Sequence, residues 1–451
     1  MKIELTNLLD ISQWKLNPYQ ALTIGFAVLI FVGALFLATP WASATGRPTP
    51  FIDALFTSTS AVCVTGLVVV DTGTHWSLFG QLIIIALIQF GGLGIMAMAT
   101  LFAIMLGKRI HLRERLLMQE ALNQLSMSGV VRLMLYVIKT TLLIEFVGGS
   151  ILAVRWYQDL GWQGVYFGYW HAVSSFCNAG FDLFGGFKSI TGYVEDWTVN
   201  LIVSSLIILG GLGFTVLADI WTNRSFSRLE LHSKLVLVVT AGLIIGGTLV
   251  IFFIEQDNPA TLATLSWQGK LLGSYFQSVT ARTAGYNTLD IAKLEDATLF
   301  FMVLLMFIGA SPTSTGGGIK TTTFGIMLSA IYAMARGREE AEIFHRRISQ
   351  QLVYKAFAVM FIASLLVIAI TMLLSLTERA PFLNLLFEVV SAFGTVGLTA
   401  GVTPNLSISG KVLIILTMFA GRVGPVTLAF AIALRQHKGT IRYPEGKVII
   451  G

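Results

Sequence analysis

The sequence predicts an all-α polytopic membrane protein: four parallel helix–pore loop–helix repeats around a pseudo-fourfold central pore. Three observations lead there. Of the 451 residues only 12% are charged and 55% are hydrophobic, against roughly 25% charged in a soluble domain; a water-soluble globule and a disordered chain are both excluded. Eight apolar stretches are long enough to cross a bilayer core of about 30 Å. Within each successive pair of spans lies a shorter stretch rich in Ser, Thr, Phe and Gly, and these four align on one glycine each.

The spans fall near 19–39, 78–106, 130–154, 198–220, 234–254, 298–335, 352–376 and 411–434. The short stretches, 51–67, 165–181, 270–286 and 382–398, cannot span. They read as re-entrant segments, tolerated in a membrane only where protein or water covers the backbone. Basic clusters follow every second span: Lys108, Arg109, Arg113 and Arg115; Arg224, Arg228 and Lys234; Arg336, Arg338, Arg346 and Arg347; Arg435, Lys438, Arg442 and Lys447. The opposite face carries Asp71, Asp159, Glu195, Asp196, Glu255, Asp257, Asp290, Glu295 and Asp296. By the positive-inside rule both termini are cytoplasmic, the protein is multi-pass in a cell (inner or plasma) membrane, and the short segments dip in from outside. The basic clusters serve first as topology anchors, with docking of a cytoplasmic partner as the alternative. Residues 1–20 lack the basic start and cleavage site of a signal peptide, so the first span is expected to be retained. Two cysteines, Cys63 and Cys177, make no disulfide framework and suit packed thiols.

The expected organisation is a cytoplasmic segment (1–18), repeat 1 (19–106), a cytoplasmic linker (107–129), repeat 2 (130–221), repeat 3 (222–335), repeat 4 (336–434) and a cytoplasmic tail (435–451). The aligned loops read Ser60-Ala61-Val62-Cys63-Val64-Thr65-Gly66-Leu67, Ser174-Ser175-Phe176-Cys177-Asn178-Ala179-Gly180-Phe181, Val279-Thr280-Ala281-Arg282-Thr283-Ala284-Gly285-Tyr286 and Ser391-Ala392-Phe393-Gly394-Thr395-Val396-Gly397-Leu398. Each second helix carries a further mark: Gly91-Gly92-Leu93-Gly94, Gly210-Gly211-Leu212-Gly213, Gly309-Ala310-Ser311-Pro312 and Gly421-Arg422-Val423-Gly424. The marks recur in order, about 105 to 115 residues apart. Span, re-entrant segment, span is an even number of crossings, so all four repeats point the same way. Parallel repeats imply an axis along the membrane normal rather than the in-plane axis of inverted-repeat carriers.

A cation leaving water needs replacement oxygens. Glycine allows an extended loop to turn its carbonyls inward with no side chain in the lumen. Gly66, Gly180, Gly285 and Gly397 are therefore expected to form one ring. Val64 and Thr65, Asn178 and Ala179, Thr283 and Ala284, and Thr395 and Val396 would add further carbonyl layers. Ser60, Ser174 and Thr280 are expected to hydrogen-bond locally on short pore helices. For the second-helix glycines the simpler role, close helix packing, is preferred.

These motifs, with Arg282-Thr283-Ala284-Gly285-Tyr286-Asn287-Thr288 and Gly316-Gly317-Gly318-Ile319-Lys320-Thr321, resemble the potassium-translocating subunits of the Trk/Ktr/HKT superfamily over essentially the whole chain. The resemblance places the family's filter glycines on Gly66, Gly180, Gly285 and Gly397. Sodium-preferring plant members carry serine at the first of these, so Gly66 implies potassium. Only about 18 residues precede the first span, which is closer to the KtrB branch than to TrkH-type members with two extra helices.

Span six would exceed about 50 Å as one helix, and its middle, Gly309 to Thr323, is hostile to a helix. It reads as an intramembrane loop below the filter, and the resemblance implies that Thr313, Ser314, Thr315, Gly316, Gly317, Gly318 and Lys320 act as a gate. The spacing of Gly318 and Lys320 is wrong for a phosphate-binding loop, so no nucleotide is expected on this chain. Arg422 interrupts the last span; it makes either a structural ion pair or bonds to pore-helix carbonyls, or it anchors the gate and repels cations. Arg282 is expected to point behind the filter and brace it against Glu388. Glu145, mid-span in the third span, is expected to be paired or to face protein rather than to carry protons, and His171 has no second ligand at metal spacing.

The functional expectation is channel-like potassium uptake without enzymatic chemistry. Bound species would be potassium through the filter carbonyls, with sodium as the alternative ion. Sodium or mixed-cation transport stays open, as, further off, do a proton-coupled carrier and a membrane enzyme, for which the sequence offers only isolated ionisable residues. The resemblance implies a homodimer on a cytoplasmic KtrA-type regulatory ring that binds ATP or ADP. Membrane lipid is the other partner, and nucleic acid is not one. Lys108–Arg115 and Arg336–Arg347 are candidate docking segments, and Val448-Ile449-Ile450-Gly451 a candidate dimer contact.

Overall fold

The computed structural model describes residues 18–94 and 130–424. The amino-terminal segment, the 107–129 linker with Lys108–Arg115, the far ends of the second and eighth expected spans, and the tail from 435 lie outside the described residues. In chain order the first unit comprises α1 (Pro18–Leu37), α2 (Phe51–Val62), the one-turn α3 (Thr72–His75) and α4 (Leu78–Leu93). The second comprises α5 (Val130–Leu160), α6 (Trp162–Phe176), α7 (Trp197–Leu212) and α8 (Phe214–Asn223). The third has α9 (Leu231–Glu255), α10 (Trp267–Thr280), α11 (Asp296–Phe307) and α12 (Thr321–Ala335). A small hairpin, β1 (Glu342–Ile343) with β2 (Arg346–Arg347), precedes the fourth unit of α13 (Gln350–Thr377), α14 (Phe382–Gly394) and α15 (Ile408–Val423).

Burial sorts these helices by role. The first helix of each unit is apolar and long enough to cross a membrane, and it leaves side chains such as Phe31, Phe146, Phe253 and Phe361 exposed. Without water such a surface faces lipid at no cost. The short helices α2, α6, α10 and α14 are mostly buried, hydroxyls included. Their polar groups are satisfied at close range: Ser58 Oγ donates to Ile30 O at 2.7 Å and Ser278 Oγ to Ile244 O at 2.8 Å. Glycine makes room for these hydroxyls, since a methyl on Gly33 or Gly247 would lie 2.5 or 2.3 Å from them.

The units close into a cycle. The second helix of each packs on the short helix of the next: α4 on α6, α7 on α10, α11 on α14, and α15 back on α2. An ion pair between Lys411 and Asp53 (2.6 Å) fastens that last seam. At the second seam Ser266 donates from its hydroxyl and amide to Glu195 Oε1 (2.6 and 2.9 Å), which holds that carboxyl below its ordinary range. A depressed carboxyl stabilises the fold above its unfolded pKa and ceases to do so as pH falls through the folded value. The Glu195 clamp is thus expected to be complete above its ordinary pKa of 4.5 and to weaken only in stronger acid. Glu195→Gln should flatten that acid-side slope in thermal unfolding measured against pH.

Two expected spans are broken. The sixth is interrupted between α11 and α12, over residues 308–320, with a single bridge joining Ile308 to Ile319. The fourth, expected as one helix over 198–220, bends by 96° between α7 and α8. Its pivot is Gly213 at φ +95°, where a methyl would meet Pro312 O at 2.4 Å. The interrupted segment of the third unit occupies the space a straight helix would need, and Phe214 N donates to Thr313 O at 3.1 Å instead of continuing the helix.

Candidate functional site

Four short loops meet where the short helices end. The residue two before each aligned glycine is left-handed: Val64 (φ 57°), Asn178 (59°), Thr283 (71°) and Thr395 (51°). The glycines follow with positive φ, Gly66 at 92°, Gly180 at 68°, Gly285 at 82° and Gly397 at 93°. A left-handed residue other than glycine costs about 1–2 kcal/mol, so three β-branched residues there persist only because the surroundings over-determine them. Nothing in the sequence marks this position, since valine and threonine are poor left-handed formers.

One feature of the glycines is decisive for their arrangement. A methyl on Gly66 would lie 2.4 Å from Ala179 O; on Gly180, 2.6 Å from Ala284 O; on Gly285, 2.6 Å from Val396 O; on Gly397, 2.1 Å from Thr65 O. Each glycine therefore packs on the loop of the next unit, and the fourth packs on the first. Residues 64–65, 178–179, 283–284 and 395–396 are all buried. The leading hydroxyls hold this geometry. Ser60 Oγ and Ser391 Oγ accept from the amides of Gly66 (3.0 Å) and Gly397 (3.1 Å), whereas Ser174 Oγ donates to Phe181 O (3.0 Å) and Thr280 Oγ1 to Tyr286 O.

The second-helix marks divide into two roles. Their first glycines do pack closely: a methyl on Gly91, Gly210 or Gly421 would lie 2.0, 1.9 or 1.9 Å from the carbonyl oxygen of Val62, Phe176 or Phe393. The last glycines, Gly94, Gly213 and Gly424, instead end their helices at φ +85°, +95° and +91°. Gly210→Ala sets backbone against backbone, and no rotamer relieves it. Its expected effect is a loss of about 1–3 kcal/mol, measurable as a lower midpoint of thermal unfolding in detergent.

The interrupted segment of the third unit runs against the inner ends of the loops. Thr315 N donates to Gly210 O (3.2 Å) and Thr315 Oγ1 to Phe176 O (3.2 Å). Thr313 Oγ1 lies 2.9 Å from Thr215 Oγ1, Ser314 Oγ donates to Ser311 O (2.6 Å), and Lys320 Nζ donates to Gly316 O (2.8 Å). Gly317 N donates to Thr395 Oγ1 at 3.0 Å, and Gly318 sits at φ +67° against Gly394 and Gly309. Arg422 donates to Thr315 O of this segment and to Gly91 O of the first unit. Neither carbonyl belongs to a short pore helix: the guanidinium joins the interrupted segment to α4 rather than to α2, α6, α10 or α14.

Arg282 does not brace Glu388. Its two terminal nitrogens donate to Thr240 O and Gly309 O, each at 3.4 Å, so it ties the third loop to the start of the interrupted segment. Glu388 faces the other way: Oε1 accepts from Ala400 N (3.0 Å), Val402 N (3.2 Å) and the Thr399 hydroxyl, and Oε2 from the Thr403 hydroxyl. A carboxylate that accepts four donors from its own unit has no need of a distant guanidinium. His171, nine residues before its glycine as Glu388 is before Gly397, has the same strapping role, accepting Leu183 N on Nε2 at 3.2 Å. The shared spacing was the available signal for both. Glu145 accepts from Gln89 Nε2 at 3.1 Å, and Cys63 and Cys177 are buried free thiols.

The matching family model is described as a cation transport protein, TrkH, and covers residues 17–440. The Ktr system potassium uptake protein B of Bacillus subtilis is 46% identical over 438 residues, 97% of each chain. The potassium/sodium uptake protein NtpJ of Enterococcus hirae is 43% identical over 97% of this chain and 98% of its own. The crystal structure of the potassium transporter TrkH from Vibrio parahaemolyticus superposes with a TM-score of 0.72 at 18% identity, over 94% of this chain and 86% of that one, a likeness of fold. With four membrane-length helices among the described residues, a cycle of glycine loops and these matches along nearly all its length, the chain belongs to the TrkH cation transport protein family.

Proposed function

We propose that this chain is the translocating subunit of a potassium uptake system, with four parallel repeats (19–106, 130–221, 222–335 and 336–434) around one pore. The observation that carries this reading is the closed cycle of glycines, each against the next loop's carbonyl. Gly66, Gly180, Gly285 and Gly397, with the carbonyls of the two residues before each, replace the hydration shell of the ion. Buried hydroxyls and left-handed turns hold those carbonyls in place before the ion arrives, so little reorganisation accompanies each step. Residues 313–318 with Lys320 and Arg422 form the gate: the segment touches Phe176, Thr283 and Thr395 of the second, third and fourth units, and Arg422 binds it to the first. A fixed guanidinium beside the path opposes cation passage while the segment is closed.

Both termini and the hairpin 342–347 face the cytoplasm in this reading, in line with the positive-inside pattern. The chain works as a homodimer on a cytoplasmic regulatory ring that binds ATP or ADP. The name of the Bacillus relative, a component of a Ktr system, supports a partnered assembly. A second ion is favoured by one observation: NtpJ, nearly as similar, is named for potassium and sodium. One glycine per loop offers few coordination layers, which fits moderate discrimination. The test is rubidium uptake by potassium-uptake-deficient cells expressing the chain with its regulatory subunit, competed by K⁺ or Na⁺. Stronger competition by K⁺ is expected. Equal competition would favour the mixed-cation reading, and no uptake above the empty-vector level would sink both.

A further inference from the structure

The gate segment and the glycine loops touch through threonine. Thr395 ends α14 in the left-handed region, at φ 51° and ψ 51°, and is fully buried. Its Oγ1 accepts from Gly317 N at 3.0 Å. A methyl on Gly317 would lie 2.5 Å from that oxygen, and one on Gly316 would lie 2.2 Å from Thr283 Oγ1. In the orientation that satisfies both ends of the Asn178 amide, Thr283 Oγ1 donates to Asn178 Oδ1 (3.2 Å) and the amide nitrogen donates to Ile207 O (3.1 Å). Three of the four left-handed positions thus carry hydroxyl or amide groups, and two of them are touched directly by the segment. The first loop has Val64 there, with no group to offer.

We infer that Thr395, held by the Gly317 amide, is a specificity-determining residue through which the position of residues 313–318 sets the geometry of the glycine loops. The physical argument is over-determination. A β-branched residue in the left-handed region is strained, and the segment supplies one of the bonds that keep Thr395 there. The carbonyl of Thr395 lies two residues before Gly397, so relaxation of its backbone moves an oxygen of the proposed ion path. Lifting the segment away removes the Gly317 bond and the Gly316 contact together. Ion discrimination is then weaker when the segment is displaced than when it is docked, and the gate is not a passive plug. Thr395 acts here as a positioning residue.

The inference rests on the glycine loops being the filter, and the experiment separates the two. The full-length chain in liposomes is measured for rubidium flux and for the ratio of K⁺ to Na⁺ competition. The variants are Thr395→Val, Thr395→Ser, deletion of Thr313–Thr315, and Gly66→Ser as the control for the filter itself. Thr395→Val is expected to lower the K⁺:Na⁺ preference about fivefold, the factor that corresponds to one buried hydrogen bond of about 1 kcal/mol. Thr395→Ser, which keeps the acceptor, should stay near wild type. The deletion, which keeps Thr395 but displaces Gly317, should shift the ratio in the same direction as Thr395→Val while K⁺ stays preferred. If Thr395→Val fails to fold, the deletion decides alone. Faster flux at the wild-type ratio in the deletion and in Thr395→Val, with Gly66→Ser altered, overturns the coupling and leaves the filter standing. A wild-type ratio in Gly66→Ser overturns the filter assignment, and the inference with it.

Discussion

Gly66→Ser is expected to cut the preference for K⁺ over Na⁺ by about tenfold, or about 1.4 kcal/mol in relative barrier, with uptake itself surviving. Gly66 sits at φ +92°, and a Cβ there would lie 2.4 Å from Ala179 O and 3.2 Å from the Gly180 Cα. Those neighbours are backbone of the adjacent loop, so serine enters only if the first or second loop retreats. The neighbouring Thr65 Oγ1 has no hydrogen-bond partner among the described residues. A wider, hydroxyl-lined position would suit Na⁺, which has the smaller bare radius and keeps part of its tightly held hydration shell, better than a ring of carbonyls alone. The measurement is Na⁺ inhibition of rubidium uptake beside wild type; unchanged inhibition rejects Gly66 as a filter residue.

Arg422→Ala should raise K⁺ flux at least about tenfold while K⁺ remains the preferred ion. The side chain bridges Thr315 O in the interrupted segment and Gly91 O near the end of α4. Its loss frees the segment at one point and removes a positive charge from beside the proposed conduction path. Those effects act in the same direction. Arg422→Lys keeps the charge but not the two-pronged donor, so it should fall between alanine and wild type. Uptake rates equal to wild type for both variants, in liposomes without the regulatory subunit, would contradict the gate role.

Much of the architecture was legible because it rests on local preferences. Membrane spans follow from run length, and the four loop glycines from a repeated motif whose members sit about 105 to 115 residues apart. The break in span six followed from three consecutive glycines. The break in span four did not, because Gly213 differs in no local respect from a packing glycine; only Pro312 and Thr313, about 100 residues away, show why the helix turns there. Arg282 was misassigned for a related reason. Charge suggested a carboxylate partner, but Glu388 is consumed by its own unit, and buried carbonyls at Thr240 and Gly309 satisfy the guanidinium instead.

By itself the sequence determined the membrane setting and marked the four recurring loop glycines, since apolar run length and the freedom of glycine at positive φ are properties of short segments. Tertiary structure alone decided which carbonyl each glycine meets, in what cyclic order the units close, and which side chains hold the interrupted segment. Those choices are made between residues far apart in the chain, from the 78 positions that separate Gly317 from Thr395 to the 358 that separate Lys411 from Asp53. They depend on mutual fit of surfaces that no local pattern encodes.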